Sequence, residues 1–371
     1  MKTKLLCAAL FLAPSLAAAA PTGFGDLSIE IGSVSRAGLG SVDSKLATSV
    51  DPQLAVTTDP DFNGVGSLFI GGGFCTATLV NSRQAVTAAH CFGDGAGDGS
   101  MTGITTTGGV LGLGSSSVSG NTVFFDDVIG ISNVAINPLW LGPTGGVDVL
   151  GDGTIVSDVF GDGDIAVITL DREATGFNTY DILLEQTFEE LFAPHIRVGR
   201  GTSSPLSDPS DVTVDFQARV GVNEYDLFLS NIIALDTVVP GSRLLYDCDS
   251  GDSADNFLPS FSTAAPGQTF GPGSLGFGSL ESCAVGGDSG GGNFLVGADG
   301  ELILAGVTSF GSDPQRFGGF GGDTRTAAHA DFLLSSLFRT GGGGVNEVPA
   351  PAPLTLLLAG LFGLGFARRR G

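Results

Sequence analysis

An apolar, strand-like run from Gly64 to Ile70 meets three glycines, Gly71-Gly72-Gly73, and a second such run follows from Phe74 to Val80. Two short apolar runs joined across a glycine turn read as a β-hairpin. The same grammar recurs along the chain. Val86 stands just before His90, and further strand candidates are Val123 to Phe125, Val128 to Ile136 and Ile165 to Leu170. A second cluster holds Ile196 to Val198, Val212 to Val220, Ser242 to Tyr246, Gly292 to Val296 and Leu302 to Phe310. Sixty glycines, 26 phenylalanines and only 15% charged residues fit an all-β chain with many turns. Helical spacing is expected in two places only. One is an insert around Tyr180 to Phe192. The other is Thr326 to Phe338, where Ala330, Leu333, Leu334 and Leu337 can share a face.

The two ends differ from the middle. Lys2 and Lys4, an apolar region beginning at Leu5 to Leu12, and Ala17 to Ala20 read as a secretory signal peptide over residues 1–20. Residues 21–61 are polar and poorly periodic, which suits a propeptide or a loosely attached arm. At the other end, Gly341 to Gly344 open a flexible linker (341–347). The segment 348–371 then carries Val348-Pro349-Ala350-Pro351, an apolar run from Leu354 to Ala367, and Arg368-Arg369-Arg370. Both ends are basic, yet the formal net charge of the chain is −23. Such an acidic body disfavours nucleic acid and anionic membrane as partners, and leaves contact with a membrane to the tail alone.

The chemistry-bearing residues lie in the middle. A serine hydroxyl is a weak nucleophile until a histidine takes its proton and a carboxylate holds that histidine. The chain has only three histidines, His90, His195 and His329. His90 lies in Thr87-Ala88-Ala89-His90-Cys91. His195 follows Pro194 in an expected loop, and His329 falls in the expected terminal helix. Of the neighbouring acids Asp158, Asp162 and Asp164, Asp164 immediately precedes the apolar strand Ile165-Ala166-Val167-Ile168, with Asp162 as runner-up. Ser289 lies in Gly287-Asp288-Ser289-Gly290-Gly291.

The order His, Asp, Ser and these flanking residues resemble the trypsin/chymotrypsin-like serine proteases, over roughly Asn63 to Phe338 with a protease domain at 62–340. The resemblance implies two Greek-key six-stranded β-barrels facing each other, with a C-terminal helix on the second. It assigns Ser289 as nucleophile, His90 as general base, Asp164 as its orienter, and the amides of Gly287 and Ser289 as an oxyanion hole. It implies a Cys75–Cys91 bridge, which leaves Cys248 with Cys283. It places substrate contacts along Ser309, Phe310 and Gly311, and sets Cys283 where trypsin-specific members carry an aspartate. Glu281 could enter that pocket, and Gly311 and Gly321 would leave room for a large side chain. Asp288 would pair with a new N-terminus after zymogen cleavage, yet no Ile-Val-Gly-Gly start lies upstream, and Gly292 replaces the usual proline.

The expected function is an exported serine endopeptidase, active as a monomer on peptide or protein substrates. A noncatalytic surface or matrix-binding protein and an esterase are the alternatives. The tail resembles PEP-CTERM sorting signals in a Val-Pro-x-Pro variant. That implies processing by an exosortase-type enzyme and a cell-surface or extracellular location in a Gram-negative bacterium, with transient inner-membrane anchoring. No cofactor and no metal centre are expected, because no Cys-x-x-Cys spacing or His pair accompanies the cysteines. Acidic turns at Asp94 to Asp98 and Asp148 to Asp162 could hold calcium through oxygen ligands, although neither completes a loop motif.

Overall fold

A computed structural model describes residues 28–31, 62–93, 108–140, 147–148, 155–156, 163–186, 190–202, 213–228, 241–253, 276–277, 281–297, 300–311 and 317–339. The expected signal peptide, the linker, the sorting tail and nearly all of the two acidic turns lie outside these residues, as does all of the arm except 28–31. The described chain is mostly β. The strands of its first half are β1 (Ser28–Ile31), β2 (Val65–Ile70), β3 (Gly73–Asn81), β4 (Gln84–Thr87), β5 (Val110–Ser119), β6 (Thr122–Ile136), β7 (Val147–Asp148), β8 (Ile155–Val156) and β9 (Ala166–Leu170). Those of the second are β10 (Asp181–Ile182), β11 (Pro194–Gly199), β12 (Arg219–Glu224), β13 (Leu227–Phe228), β14 (Arg243–Asp247), β15 (Gly292–Val296), β16 (Leu302–Gly311) and β17 (Phe320–Arg325). One helix, α1 (Ala330–Arg339), follows a short 3-10 turn at Ala327–His329. No described helix is long and apolar enough to cross a membrane.

The first sheet runs β1-β6-β5-β2-β3-β4-β9, and β9 also pairs with β6, so six of its strands form a closed circuit. The second runs β12-β11-β15-β16-β17-β14-β13, with β10 alongside β16. The period of two explains how one strand serves two packing surfaces. On β3, Cys75, Ala77 and Leu79 enter the core of the first sheet with Leu68, Leu111, Ile129 and Ile168. Thr76 and Thr78, between them, are buried facing the second sheet, where Thr78 Oγ1 lies 2.8 Å from where a Cβ on Gly292 would stand. β4 and β9 divide likewise: Ala85 and Ile168 fill the first core, whereas Val86 and Val167 join a cluster with Ile196, Val198, Phe294, Leu304 and Val307 of the second sheet. Leu333 of α1 closes that same cluster.

Two expectations are corrected. The stretch 180–192 is not helical among its described residues; Asp181–Ile182 form a short strand parallel to β16. The strand expected at Val212 to Val220 begins only at Arg219 and runs on to Glu224. In the arm, Ser28–Ile31 pair in parallel with Thr122–Phe125, extending the first sheet.

One buried arginine joins the two halves, and two more form ion pairs within the second. Arg200 sits in the seam and donates to three carbonyls: Val65 O (2.5 Å), Phe216 O (3.1 Å) and Gly114 O (2.6 Å). Burial pulls its pKa down to about 10 against the attraction of Tyr180, Asp126 and Asp215. Arg197 pairs with Asp323 at 2.8 Å, and Arg325 pairs with Glu190 at 2.7 Å, all four side chains being buried. Removing Arg200 strands three buried acceptors, each a costly loss. Arg200→Met is therefore expected to lower unfolding stability by about 3 kcal/mol or more, read by denaturant titration.

Candidate active site

His90 lies in a one-turn 3-10 helix, Ala89–Phe92, directly after β4. Cys91 in that turn is bridged to Cys75 on β3, with a Cα–Cα distance of 6.3 Å. The bridge, together with Ala89 and Phe92 buried in the first core, fixes the turn that presents the imidazole. Asp164 precedes β9, the strand paired with β4, so sheet register carries it to His90. His90 Nδ1 lies 2.7 Å from Asp164 Oδ2, and the His90 backbone N–H donates to Asp164 Oδ1 at 2.9 Å. Ser309 Oγ on β16 also donates to Asp164 Oδ2, and Thr324 Oγ1 on β17 donates to the Asp164 carbonyl at 2.9 Å. Asp164 thus takes hydrogen bonds from both sheets. The runner-up Asp162 lies outside the described residues.

Electrostatics follow from this burial. Burial alone pushes the His90 pKa down, but the charge and hydrogen bond of Asp164 outweigh it and hold it above the usual 6.5. Burial pushes Asp164 up; the His90 charge and hydrogen bonds from His90 and Ser309 outweigh it, and its pKa falls below 3.8. The raised histidine contributes stability below its unfolded value that is lost as pH rises through its folded value. The lowered aspartate contributes above its unfolded value and loses it as pH falls through its folded value. Both contributions are complete between about 3.8 and 6.5.

Ser289 lies in a loop whose glycines cannot be replaced. Gly287 has φ +91°, and a Cβ there would stand 2.1 Å from the Phe74 ring; Gly290 has φ +82°, and its Cβ would stand 2.1 Å from Thr87 Oγ1. The loop is pinned to the first sheet by Thr76, whose N–H donates to Ser289 O at 2.8 Å and whose Oγ1 donates to Gly287 O at 2.9 Å. Gly290, next to Ser289, is thereby packed against the Thr87-Ala88 segment leading to His90. His90 Nε2 is buried and makes no hydrogen bond among the described residues, so it does not bond Ser289 Oγ here.

Asp288, expected to need an N-terminal ammonium, already has partners. Gly201 N–H donates to its Oδ1 at 2.8 Å and Val285 N–H to its Oδ2 at 2.9 Å. Burial raises its pKa to about 6, moderated by those two amides and by Arg197 and Arg219. Sequence reasoning missed these donors because neither Gly201 nor Val285 carries a chemical signature.

The remaining expected positions are backbone or packing positions. Phe310 is buried, and its ring fills the space beside Gly322. Gly311 pairs with Gly321 across the strands. Gly321 opens no free pocket: its Cβ would stand 2.2 Å from the Tyr246 hydroxyl, so Tyr246 takes that room. Cys283 is buried in the bridge to Cys248 (Cα–Cα 6.1 Å). His195 is buried and stacks on Tyr225 at 3.9 Å, and His329 Nδ1 lies 3.1 Å from Asn137 Nδ2. Glu281 is buried, its Oε2 accepting from Phe277 N–H at 2.8 Å. The ligating atoms of Cys75, His90 and Cys91 lie within 4.8 Å of one another, but both sulfurs belong to the bridge and offer no thiolate.

A family model described as Trypsin matches residues 56–214, which include His90 and Asp164 and stop short of Ser289. The match covers 159 of the chain's 371 residues, and over them the chain is similar to trypsin-like serine proteases. No curated protein matches the chain. The two disulfides are compatible with export.

The pH expectation is direct. The His90 imidazole, followed by NMR, should titrate above 6.5. Asp164→Asn should move that titration downward, since it removes the charge that opposes burial. An unmoved titration would show that Asp164 does not act on His90.

Proposed function

We propose that the protein is an exported serine endopeptidase in which Ser289, His90 and Asp164 form a catalytic triad on two facing Greek-key barrels. The observation that carries this reading is the 2.7 Å contact of His90 Nδ1 with a buried Asp164, placed beside the pinned Ser289 loop. His90 Nε2 takes the Ser289 proton as Oγ attacks the scissile carbonyl. The tetrahedral oxyanion is received by the amides of Gly287 and Ser289; one such donor is worth about 3 kcal/mol in the transition state. Collapse releases the amine, which leaves with the proton from His90. Water, activated by the same imidazole, then hydrolyses the acyl-enzyme. Asp164 keeps Nδ1 protonated and stabilises the imidazolium.

Substrate would lie along β16, where the side chains of Ser309 and Phe310 are turned to Asp164 and Gly322, so backbone groups are what a peptide meets. The basic and apolar signals at the two ends support export and processing by an exosortase-type enzyme at residues 348–371. Ser289→Ala should abolish peptide hydrolysis and labelling by a fluorophosphonate. Labelling at an undiminished rate would remove Ser289 from the mechanism.

Because Asp288 accepts two backbone amides, we also propose that the serine loop is organised without a freshly cut N-terminus. Protein beginning at Pro21 with its α-amine acetylated should label with the fluorophosphonate within about twofold of unblocked protein. Asp288→Asn, which sets an amide N–H against Gly201 or Val285, should slow labelling about 10²-fold or more. Strict dependence on a free amine would overturn this activation-free reading.

A further inference from the structure

The serine loop and β16 meet at Thr308. There Gly290 N–H donates to Thr308 O at 2.7 Å, and Thr308 N–H donates to Gly291 O at 3.0 Å. Past that contact β16 continues as Ser309 to Gly311, while Ala284 to Gly286 form the limb that leads into the serine loop. Both stretches are anchored. Ser309 Oγ bonds Asp164, and Gly311 is paired with Gly321. Gly286 O accepts from Thr202 N–H at 2.8 Å, and Val285 N–H donates to Asp288 Oδ2 at 2.9 Å.

Tyr246 of β14 reaches both of them. On the loop side its hydroxyl accepts from Ala284 N–H at 3.4 Å. On the strand side the same oxygen lies 2.2 Å from where a Cβ on Gly321 would stand, and Gly321 is the partner of Gly311. One phenol group therefore spans from the serine loop to the strands. Tyr246 is 0% exposed and Ala284 is 6% exposed, so the junction is closed.

The ring is also fixed from behind. Tyr246 is in register with Gly321 on β17. Arg197 donates to its hydroxyl at 2.9 Å, and the guanidinium carbon lies 3.9 Å from the ring centroid. Arg197 is itself paired with Asp323 at 2.8 Å, and Asp323 accepts from the Tyr225 hydroxyl at 2.7 Å. Swinging the phenol aside would break a buried, charge-assisted hydrogen bond, which is costly. Tyr246 is a standing obstruction and not a gate.

We propose that Tyr246 sets the size limit for the substrate residue that precedes the cut bond. The protein would hydrolyse peptides after Gly, Ala or Ser and reject Phe, Leu, Lys and Arg. The proposal rests on the reading of Ser289 as nucleophile and of β16 as the strand a peptide follows. A peptide held in that way turns this side chain toward the junction of loop and strands, where the phenol already stands. A methyl or hydroxymethyl group needs no depth there. A ring or a long chain would have to displace Tyr246, and close-packed interiors resist such insertion. A cation gains nothing either. Asp323, two residues along β17 from Gly321, is already engaged by Arg197 and Tyr225.

The test gives the full chain a set of tetrapeptide substrates that differ only at the residue before the scissile bond. The kcat/KM for Ala should exceed that for Phe and that for Lys by at least about tenfold. Peptidyl phosphonates bearing the same side chains should label Ser289 in the same order. Tyr246→Ala should lower the Ala-over-Phe ratio at least about tenfold, because it removes the ring. A loss of folded protein lowers both rates together and leaves their ratio unmoved, so the ratio separates size selection from stability. If Tyr246→Ala does not fold, the shorter side chain of Tyr246→Leu should move the ratio in the same direction. A preference for Phe or Lys in the unaltered protein, or an unchanged ratio in a folded variant, overturns the size limit alone. Absence of both cleavage and fluorophosphonate labelling would overturn the Ser289 reading, and the size limit with it.

Discussion

The buried carboxylate of Asp164 is the point at which the two halves agree. It receives His90 Nδ1 and the His90 amide from the first sheet and Ser309 Oγ from the second. Its carbonyl receives Thr324. A charge at 3% exposure is tolerable only because all these donors converge on it. The relative placement of the sheets is therefore tied to the protonation of one group. Misalignment would leave an uncompensated charge, which the interior does not accept.

Thr76 performs the reciprocal service for the serine loop. Its N–H and hydroxyl hold the carbonyls of Ser289 and Gly287, while its hydroxyl accepts from Arg200 N–H at 3.0 Å. One small β-branched residue on β3 joins the loop to the strand that carries Cys75, and through the bridge to the His90 turn. The proposed base and nucleophile are positioned from a common strand, and their separation inherits the stiffness of the sheet.

Much of this was legible in the residues. The glycine turn between β2 and β3, the apolar runs of β9, β15 and β16, and the terminal helix all appear where hydrophobic pattern places strands and helix. His90 and Asp164 were legible because their neighbours are distinctive. β5 and β17 were not. Val110–Ser119 is rich in glycine and serine, and Phe320–Arg325 holds two glycines and buried Asp323, Thr324 and Arg325. Gly321 and Gly322 sit inside β17 because Tyr246 and Phe310 occupy the volume their side chains would need. Charged residues belong in a buried strand only when partners are known, and Arg197, Glu190 and Tyr225 come from distant segments. The insert around Tyr180 misled for a related reason. Its spacing suits a helix, but its edge is captured by β16.

The crowding around Gly290 has a consequence for reading sequence variation. A side chain there would meet Thr87 Oγ1 and Thr76 O at 2.1 and 2.2 Å, so nearly every replacement displaces the strand beneath the loop. A mutational scan scored by turnover would rank Gly290 alongside the proposed nucleophile Ser289, although Gly290 has no side chain with which to react. Only a scan that separately counts folded molecules would tell the two apart. Intolerance along 287–291 thus measures closeness of packing as much as chemistry, and the length of such an intolerant run is a poor guide to the size of a reactive centre.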